Sequence, residues 1–123
     1  MMLLPAPVDV LEQALPSKEL VTAMRKYDQD MRNAGVLLAA EGLHPTSKGK
    51  RLRMTGGKRV ITDGPFAEAK EVIAGFWMIQ AKSMEEALEW AKRCPLPEHG
   101  LIEIRQVFEN CDFPPELQET VKA

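Results

Sequence analysis

The chain has 123 residues, of which 45% are hydrophobic and 28% are charged, and its formal net charge at pH 7 is −2. These values are typical of one soluble globular domain. The charge argues against broad binding to nucleic acid or to an anionic membrane, because both need a clustered excess of Lys and Arg. No apolar run approaches the ~20 residues of a membrane span. The N-terminus also lacks the basic start and apolar length of a signal peptide.

The two cysteines, Cys94 and Cys111, match no metal-binding spacing and predict no disulfide framework. Free thiols indicate a reducing compartment, so we expect a cytoplasmic protein. The two histidines, His44 and His99, have no partner at the spacing of a helical metal motif. The sequence therefore predicts no metal site, and no phosphate loop or nucleophile motif indicates a cofactor.

The chain opens with a short apolar run, Met1 to Leu4, which indicates a buried strand that stops before a loop over residues 5–16. Ser17 is a suitable N-cap for a helix over residues 18–34, and Gly35 favours the end of that helix. Apolar residues recur along this segment at helical spacing and predict its buried stripe. The stripe consists of Leu20, Met24, Tyr27 and Met31.

A second strand is predicted over Val36 to Ala40, which is short and continuously apolar and therefore suits burial on both faces. A polar stretch then leads into a β-hairpin. Residues 51–55 alternate as a half-buried strand, Gly56–Gly57 suit a two-residue turn, and residues 58–62 form the return strand. The hairpin is rich in Lys and Arg, and we interpret these residues as a solvated face rather than a phosphate site.

The sequence Asp63-Gly64-Pro65-Phe66 restricts the backbone in four different ways. Asp can accept backbone hydrogen bonds, Gly permits a positive φ, Pro fixes φ, and Phe supplies an apolar anchor. Such a segment either holds a rigid turn or presents the Asp63 carboxylate at a fixed place. One helical turn is predicted after it, over residues 67–71.

The second half of the chain repeats the order of strand, helix and strand. Residues 75–79 predict a strand, and Ser83–Glu86 form the capping box of a second helix. Residues 101–108 predict the last strand. We expect residues 109–123 to form a peripheral tail, which leaves a single domain over residues 1–108.

This doubled pattern with an inserted hairpin predicts a ferredoxin-like α+β fold, in which two helices cover one face of an antiparallel sheet. The other face should be polar in a monomer. Phe76 and Met78, however, alternate with Trp77 and Ile79, so both faces of this strand are apolar. We therefore expect a homodimer whose sheets pack face to face around a cleft.

Glu103 and Arg105 are the first candidates for lining that cleft. They alternate with Ile102 and Ile104, so they face the second sheet if the isoleucines face the helices. An exposed pair on an edge strand is an equally good interpretation.

Glu41, His44 and Asp63 form the second set of candidates, because each follows a strand and strand ends often meet at one edge of a sheet. A carboxylate beside His44 would orient the ring as a general base. A loop histidine and two turn-forming acids are the structural alternatives. Tyr27 is expected to pack in the core, although its hydroxyl would need a partner there, and a pocket carboxylate could serve.

Several segments together resemble the DGPF-domain branch of the YCII-related proteins, over most of residues 18–108. These segments are Ala34–Leu37, Glu41–Leu43, Val60–Glu68, Gly75–Trp77 and Glu86–Ala91. The resemblance implies a dimeric α/β-barrel of ferredoxin-like protomers with a cleft between the sheets. It also implies that Glu41 and Asp63 are pocket residues, and that the protein is associated with extracytoplasmic-function sigma factors. It implies no settled activity.

The sequence departs from this family in two places. YCII proteins proper resemble enzymes in carrying a His–Asp pair whose His lies near the first helix, but no His precedes His44 here. That pair therefore does not carry over. The family's first strand, a central one, is usually longer than Met1 to Leu4, which puts the start of the chain in question.

Three functions fit the sequence. The first is a cytoplasmic homodimer that binds a small molecule through Glu41, Asp63 and Arg105. The second is a hydrolase, lyase or isomerase with Asp63 or His44 as general base. The third is a regulatory protein that acts on a sigma factor through its exposed helices.

Overall fold

The computed structural model describes residues 1–7, 17–66 and 70–120 and has an α+β architecture with antiparallel sheets. A four-stranded sheet has the strand order β2-β5-β1-β6, and β3 and β4 form a separate two-stranded sheet. The described elements are β1 (Met2–Pro7), α1 (Lys18–Asn33), β2 (Leu37–Gly42), β3 (Lys50–Thr55), β4 (Lys58–Asp63), β5 (Glu71–Ile79), α2 (Met84–Lys92), β6 (Glu103–Ile104) and α3 (Pro115–Gln118).

Local capping sets the ends of the two long helices, as the sequence predicts. The Ser17 side chain accepts a hydrogen bond from the Leu20 amide at 3.1 Å, and Gly35 after α1 has a φ of 76°. The Ser83 hydroxyl accepts from the Glu86 amide at 3.2 Å. The second half of the predicted capping box differs, because the Glu86 carboxylate accepts from the Lys82 amide rather than from Ser83.

The first strand is longer than predicted, because it continues through Pro5–Pro7. A register shift between Leu4 and Pro5 accompanies this continuation. Such a bulge suits residues that have no backbone N–H to donate. The predicted loop is therefore wrong for these three residues, and its remainder, residues 8–16, lies outside the described part of the chain.

Two further boundaries differ from the prediction. β5 already includes Glu71, so the helical turn expected over 67–71 is wrong there, while residues 67–69 lie outside the described part. The last strand is limited to Glu103–Ile104 instead of residues 101–108. It pairs only with Leu3 and Met2 of β1, because β1 begins at Met2 and offers no further strand residue to pair with.

The core lies between one face of the sheet and the helices. The register places Ala40, Trp77, Met2 and Ile104 in one row across the four strands. Met2 is fully buried there. Side chains of both α1 and α2 pack against the same cluster, and these are Met24, Tyr27, Met31, Trp90 and Ala91.

Polar groups on the core aromatics are satisfied inside this cluster. The Tyr27 hydroxyl donates to the Trp90 carbonyl at 2.7 Å, and the Trp77 indole N–H donates to the Asp28 carboxylate at 2.8 Å. The two rings meet edge to face with centroids 5.7 Å apart. Burial raises the pKa of the Tyr27 hydroxyl and raises the pKa of the nearby Cys94 thiol to about 11. Both groups are therefore neutral at pH 7.

The β3–β4 hairpin forms as predicted, with Gly56 and Gly57 both at positive φ as a tight hairpin turn requires. Every residue of both strands is exposed, however. The prediction of a half-buried strand is therefore wrong within the single chain, because no other described element covers either face of the hairpin. Among the described residues, no helix has the length and apolarity needed to cross a membrane.

Candidate functional site

One cross-strand row defines the sheet face that the helices leave open. Glu41 pairs with Phe76, Phe76 pairs with Leu3, and Leu3 pairs with Glu103. Directly paired residues of antiparallel strands project from the same face of the sheet. The row therefore places two apolar side chains at its centre and one carboxylate on each edge strand.

A second row on the same face adds apolar surface and a cation. Met78 pairs with Ala39, and Leu38 in the adjoining bulge is 61% exposed. Arg105 follows Glu103 by two residues and exchanges backbone hydrogen bonds with Met1. A groove of about 470 Å³ lies at this end of the sheet, between the start of α2 and residues 104–109, and Leu38, Met78 and Arg105 form the part of its lining that belongs to the open face.

The open face can therefore hold an organic molecule on apolar side chains between charged groups. Glu103 and Arg105 are both exposed. Carboxylates at the two edges can accept hydrogen bonds, while a guanidinium can bind an oxyanion through two parallel donors. Ile102 and Ile104 pack against the core cluster, so the condition under which Glu103 and Arg105 face away from the helices is met.

The Asp63–Phe66 segment begins at the last residue of β4, at the base of the β3–β4 hairpin. Asp63 pairs in register with Lys50, and their charged groups are 2.5 Å apart. Both side chains are exposed to solvent. Exposed ion pairs contribute little to stability, so this pair mainly places the two charges side by side.

The turn itself is held by backbone contacts with a short 3₁₀ turn over Thr46–Lys48. The Gly64 amide donates to the Gly49 carbonyl at 2.9 Å, and the Phe66 amide donates to the Thr46 hydroxyl at 3.3 Å. The Gly64–Pro65 peptide bond is cis. The φ of Gly64 is not positive, so the expected reason for a glycine is wrong. A Cβ at this position would lie 1.7 Å from the Thr46 carbonyl oxygen, so close approach is what requires glycine.

Phe66 is buried, which confirms it as the apolar anchor of the turn. The Arg51 guanidinium lies over its ring at 4.0 Å from the centroid. This contact combines stacking with attraction between the cation and the negative face of the ring. It was not visible in the sequence, because it joins residues 15 positions apart through the hairpin.

His44 lies in a neighbouring surface hollow of about 480 Å³. Phe66, Val72 and Ile73 supply apolar lining, and charged groups surround it. The charged or titratable lining residues are His44, Lys48, Arg51 and Glu71. Asp63 does not contribute to the lining, and its carboxylate pairs with Lys50 rather than with the imidazole.

The predicted site residues therefore fall into three places. Glu41, Glu103 and Arg105 share the open sheet face, while His44 and Asp63 lie near the hairpin base. Tyr27 lies on the opposite, helix-covered side, where a main-chain carbonyl serves as the partner of its hydroxyl. In the described residues, no cluster of three or more His, Cys, Asp or Glu side chains is arranged to hold a metal ion.

Comparison with known proteins gives two matches. The model of the YCII-related domain matches residues 5–110. An uncharacterized protein of Rhizobium meliloti (strain 1021) is 37% identical over 90 residues, which cover 72% of this chain and 69% of the relative. The name of that relative states no activity. The YCII-related match includes β2, β5 and β6 and the Asp63–Phe66 turn.

Proposed function

This chain belongs to the YCII-related family, and from that membership and the open sheet face we propose that it is a cytoplasmic homodimer that binds a small organic molecule between two sheets. The protomer is ferredoxin-like, and two protomers form a dimeric α/β-barrel. The observation that carries the proposal is the row Glu41–Phe76–Leu3–Glu103.

The strand order supports a ferredoxin-like protomer. Without the hairpin, the described elements follow the sequence β1, α1, β2, β5, α2 and β6. In the sheet, β1 and β5 are central, and β2 and β6 lie at the edges. This arrangement supports a split β-α-β motif, with the β3–β4 hairpin inserted between β2 and β5.

The apolar character of the open face supports the dimer. Leu3, Phe76 and Met78 are only partly buried, and Leu38 is largely exposed. Removing apolar surface from water is favourable by about 25 cal/mol per Å². A second copy of the same face would cover these residues symmetrically, since a two-fold interface brings one patch against itself.

The charges around this face define the ligand class. Glu41 on one edge strand can accept hydrogen bonds from an amine or hydroxyl group, and Arg105 on the other can bind a carboxylate or phosphate. The apolar side chains between them suit a hydrocarbon or ring portion. We therefore propose a small amphiphilic metabolite with an anionic group. Asp63 is a further candidate at the rim of the cleft.

The dimer is tested by molar mass from light scattering at micromolar concentration. We expect a dimer for the natural chain and a monomer for Met78→Glu, because the new carboxylate would be buried without a partner. Glu85→Gln on the exposed surface of α2 is the control and should stay dimeric. A monomeric natural chain would contradict the proposal.

Ligand binding is tested by a thermal-shift screen of anionic metabolites. A binding ligand raises the melting temperature through its preference for the folded state. Glu41→Gln and Arg105→Gln should each abolish most of the shift, while Glu85→Gln should retain it. A ligand whose shift is equal in all four proteins binds elsewhere.

An enzyme is the second candidate, and the hollow around His44 favours it. His44 has cationic and anionic neighbours there above apolar side chains, which is a setting for proton transfer to a small molecule. In this alternative, His44 or Asp63 acts as general base of a hydrolase, lyase or isomerase. Turnover should be lost in His44→Asn or Asp63→Asn and retained in His99→Asn, because His99 has a φ of 67° that asparagine tolerates.

Association with an extracytoplasmic-function sigma factor is supported by the family resemblance alone and stays a prediction. Pull-down of the purified factor by this protein would test it directly.

A further inference from the structure

The β3–β4 hairpin carries an apolar stripe on one of its faces. Leu52 pairs directly with Ile61, and Met54 pairs with Arg59 on the same face. The exposed fractions of Leu52, Met54 and Ile61 are 60%, 58% and 64%. Covering three adjacent large apolar side chains with another apolar surface lowers the free energy of the system.

The same hairpin is strongly basic. Residues 48–59 contain six basic residues and no acidic one. These are Lys48, Lys50, Arg51, Arg53, Lys58 and Arg59. The nearest acid, Asp63, is already paired with Lys50. Arg53, Lys58 and Arg59 therefore leave the outer part of the hairpin with net positive charge.

A two-stranded ribbon that is exposed on both faces is marginally stable by itself in water. Here every residue of both strands is exposed. Arg59 lies on the face of the apolar stripe, whereas Arg53 and Lys58 lie on the opposite face. The stripe and the net positive charge of the hairpin together predict a partner surface with apolar side chains and carboxylates.

The C-terminal segment of the chain, residues 107–119, has this complementary character. Phe108 is 71% exposed and its ring lies 5.0 Å from that of Phe113, while Val107 and Leu117 are also exposed. The segment contains four acidic residues and no basic one. The acids are Glu109, Asp112, Glu116 and Glu119.

The two surfaces leave the four-stranded sheet at opposite ends. β2 runs in the same direction as β1, because both are antiparallel to β5, so the hairpin after Gly42 leaves toward the end of the sheet where β1 finishes. The C-terminal segment follows Arg105, which pairs with Met1 at the start of β1. A two-fold axis that runs across the strands between two sheets brings the hairpin end of one protomer to the C-terminal end of its partner. The hairpin then starts from the β2 edge and the partner segment from the β6 edge, roughly 14 Å apart, which is within the ~20 Å length of a six-residue hairpin.

We propose that the hairpin of one protomer docks on residues 107–119 of its partner, in two reciprocal contacts that clamp the dimer. The inference rests on the proposed face-to-face dimer and adds a second, charge-dependent interface to it. Leu52, Met54 and Ile61 cover the exposed aromatic and aliphatic side chains of the partner segment, and Arg59 on the same face pairs with its carboxylates. Arg53 and Lys58 on the opposite face add to the positive potential that attracts the segment.

Charge reversal tests this contact. The hairpin variant Arg53→Glu/Arg59→Glu and the tail variant Glu116→Lys/Glu119→Lys should each raise the dimer dissociation constant about tenfold or more at low ionic strength. Each homodimer then brings like charges together twice. Lys18→Glu/Arg25→Glu on α1 changes the net charge by the same amount as the hairpin variant and should leave the constant unchanged.

Mixing the two variants provides a positive test. In a heterodimer, the acidic hairpin meets the basic tail and the unchanged hairpin meets the unchanged tail, so both contacts are restored. Native mass spectrometry should therefore detect mainly heterodimer. A statistical mixture of homodimers and heterodimers would overturn the inference. So would an unchanged dimer dissociation constant for the hairpin variant and the tail variant when each is measured alone.

Met78→Glu separates this inference from the proposed function. If Met78→Glu gives monomers while the charge-reversed hairpin leaves the dissociation constant unchanged, the face-to-face dimer stands and the clamp is wrong. If charge reversal weakens the dimer but Met78→Glu does not, the hairpin contact stands and the face-to-face dimer is wrong.

Discussion

The carbonyl oxygen of Thr46 lies where a side chain at Gly64 would begin. A Cβ on Gly64 would be 1.7 Å from that oxygen and 2.6 Å from the carbonyl carbon. These are backbone atoms within a turn that also donates the Gly49 N–H to the Thr46 carbonyl. The Asp-Gly-Pro-Phe segment is therefore locked to the preceding 3₁₀ turn by direct backbone contact.

Gly64→Ala should destabilise the protein by at least about 3 kcal/mol, because relieving this overlap requires the backbone to move. Gly42→Ala is the matched control, since a Cβ there would meet no atom within 4 Å. Denaturant unfolding of both variants measures the difference. Equal stability of the two variants would show that the turn rearranges freely.

Asp63→Asn should change the free energy of unfolding by less than about 1 kcal/mol, because the ion pair with Lys50 is exposed. Lys50→Gln should have an effect of similar size, and a double-mutant cycle isolates the pair. The same Asp63→Asn protein can then be used in ligand screens. Unfolding of this variant at room temperature would instead assign the carboxylate a structural role.

Tyr27→Phe should cost about 1–2 kcal/mol, because it removes the hydrogen bond to the Trp90 carbonyl and leaves that acceptor without its partner. The ring contact with Trp77 is retained in this variant. Urea denaturation measures the loss, and an unchanged midpoint would mean that water replaces the hydroxyl.

The two cysteines should differ in reactivity. Cys94 is buried and Cys111 is exposed. Burial also raises the pKa of the Cys94 thiol to about 11, which lowers the fraction of reactive thiolate. At pH 8, a thiol reagent should label Cys111 at least about a hundredfold faster than Cys94, as read by mass spectrometry of the digested protein. Comparable rates would contradict the packing of Cys94.

The same thiol should make stability depend on alkaline pH. In the unfolded chain a thiol loses its proton near pH 8.5, whereas the folded pKa of Cys94 is about 11. Deprotonation therefore favours the unfolded chain, and stability falls as the pH rises through this interval.

The control for this effect is the slope of stability against pH in Cys94→Ala. Between pH 8 and 10.5 the natural chain and Cys111→Ala should lose more unfolding free energy than Cys94→Ala does. Tyr27 adds a fall in the same direction at higher pH in all three proteins. Parallel curves for the three would show that Cys94 ionises equally in both states.

Features that depend on neighbouring residues were predictable from the sequence. The caps of α1 and α2 and the Gly56–Gly57 turn follow from short-range hydrogen bonding and backbone freedom. The alternation of Phe76 and Trp77 also predicted correctly that their side chains lie on opposite faces of the strand. Each of these depends on a few adjacent positions.

Features that depend on distant pairing were not predictable. The extension of β1 through Pro5–Pro7 depends on its pairing with β5, and the shortness of β6 depends on where β1 starts. The contact between Arg51 and Phe66 and the fit of Gly64 against Thr46 likewise need the hairpin and the 3₁₀ turn to be folded together.

By itself, the sequence determined the α+β order of elements, the helix caps and the family. It also determined that residues 75–79 form a strand whose two faces are both apolar. Only the tertiary structure decided that Glu41 and Glu103 flank Phe76 and Leu3 in one row, and that Asp63 pairs with Lys50 rather than with His44. The reason is physical. Periodicity assigns a residue to a face of its own strand, whereas register between strands sets which side chains become neighbours.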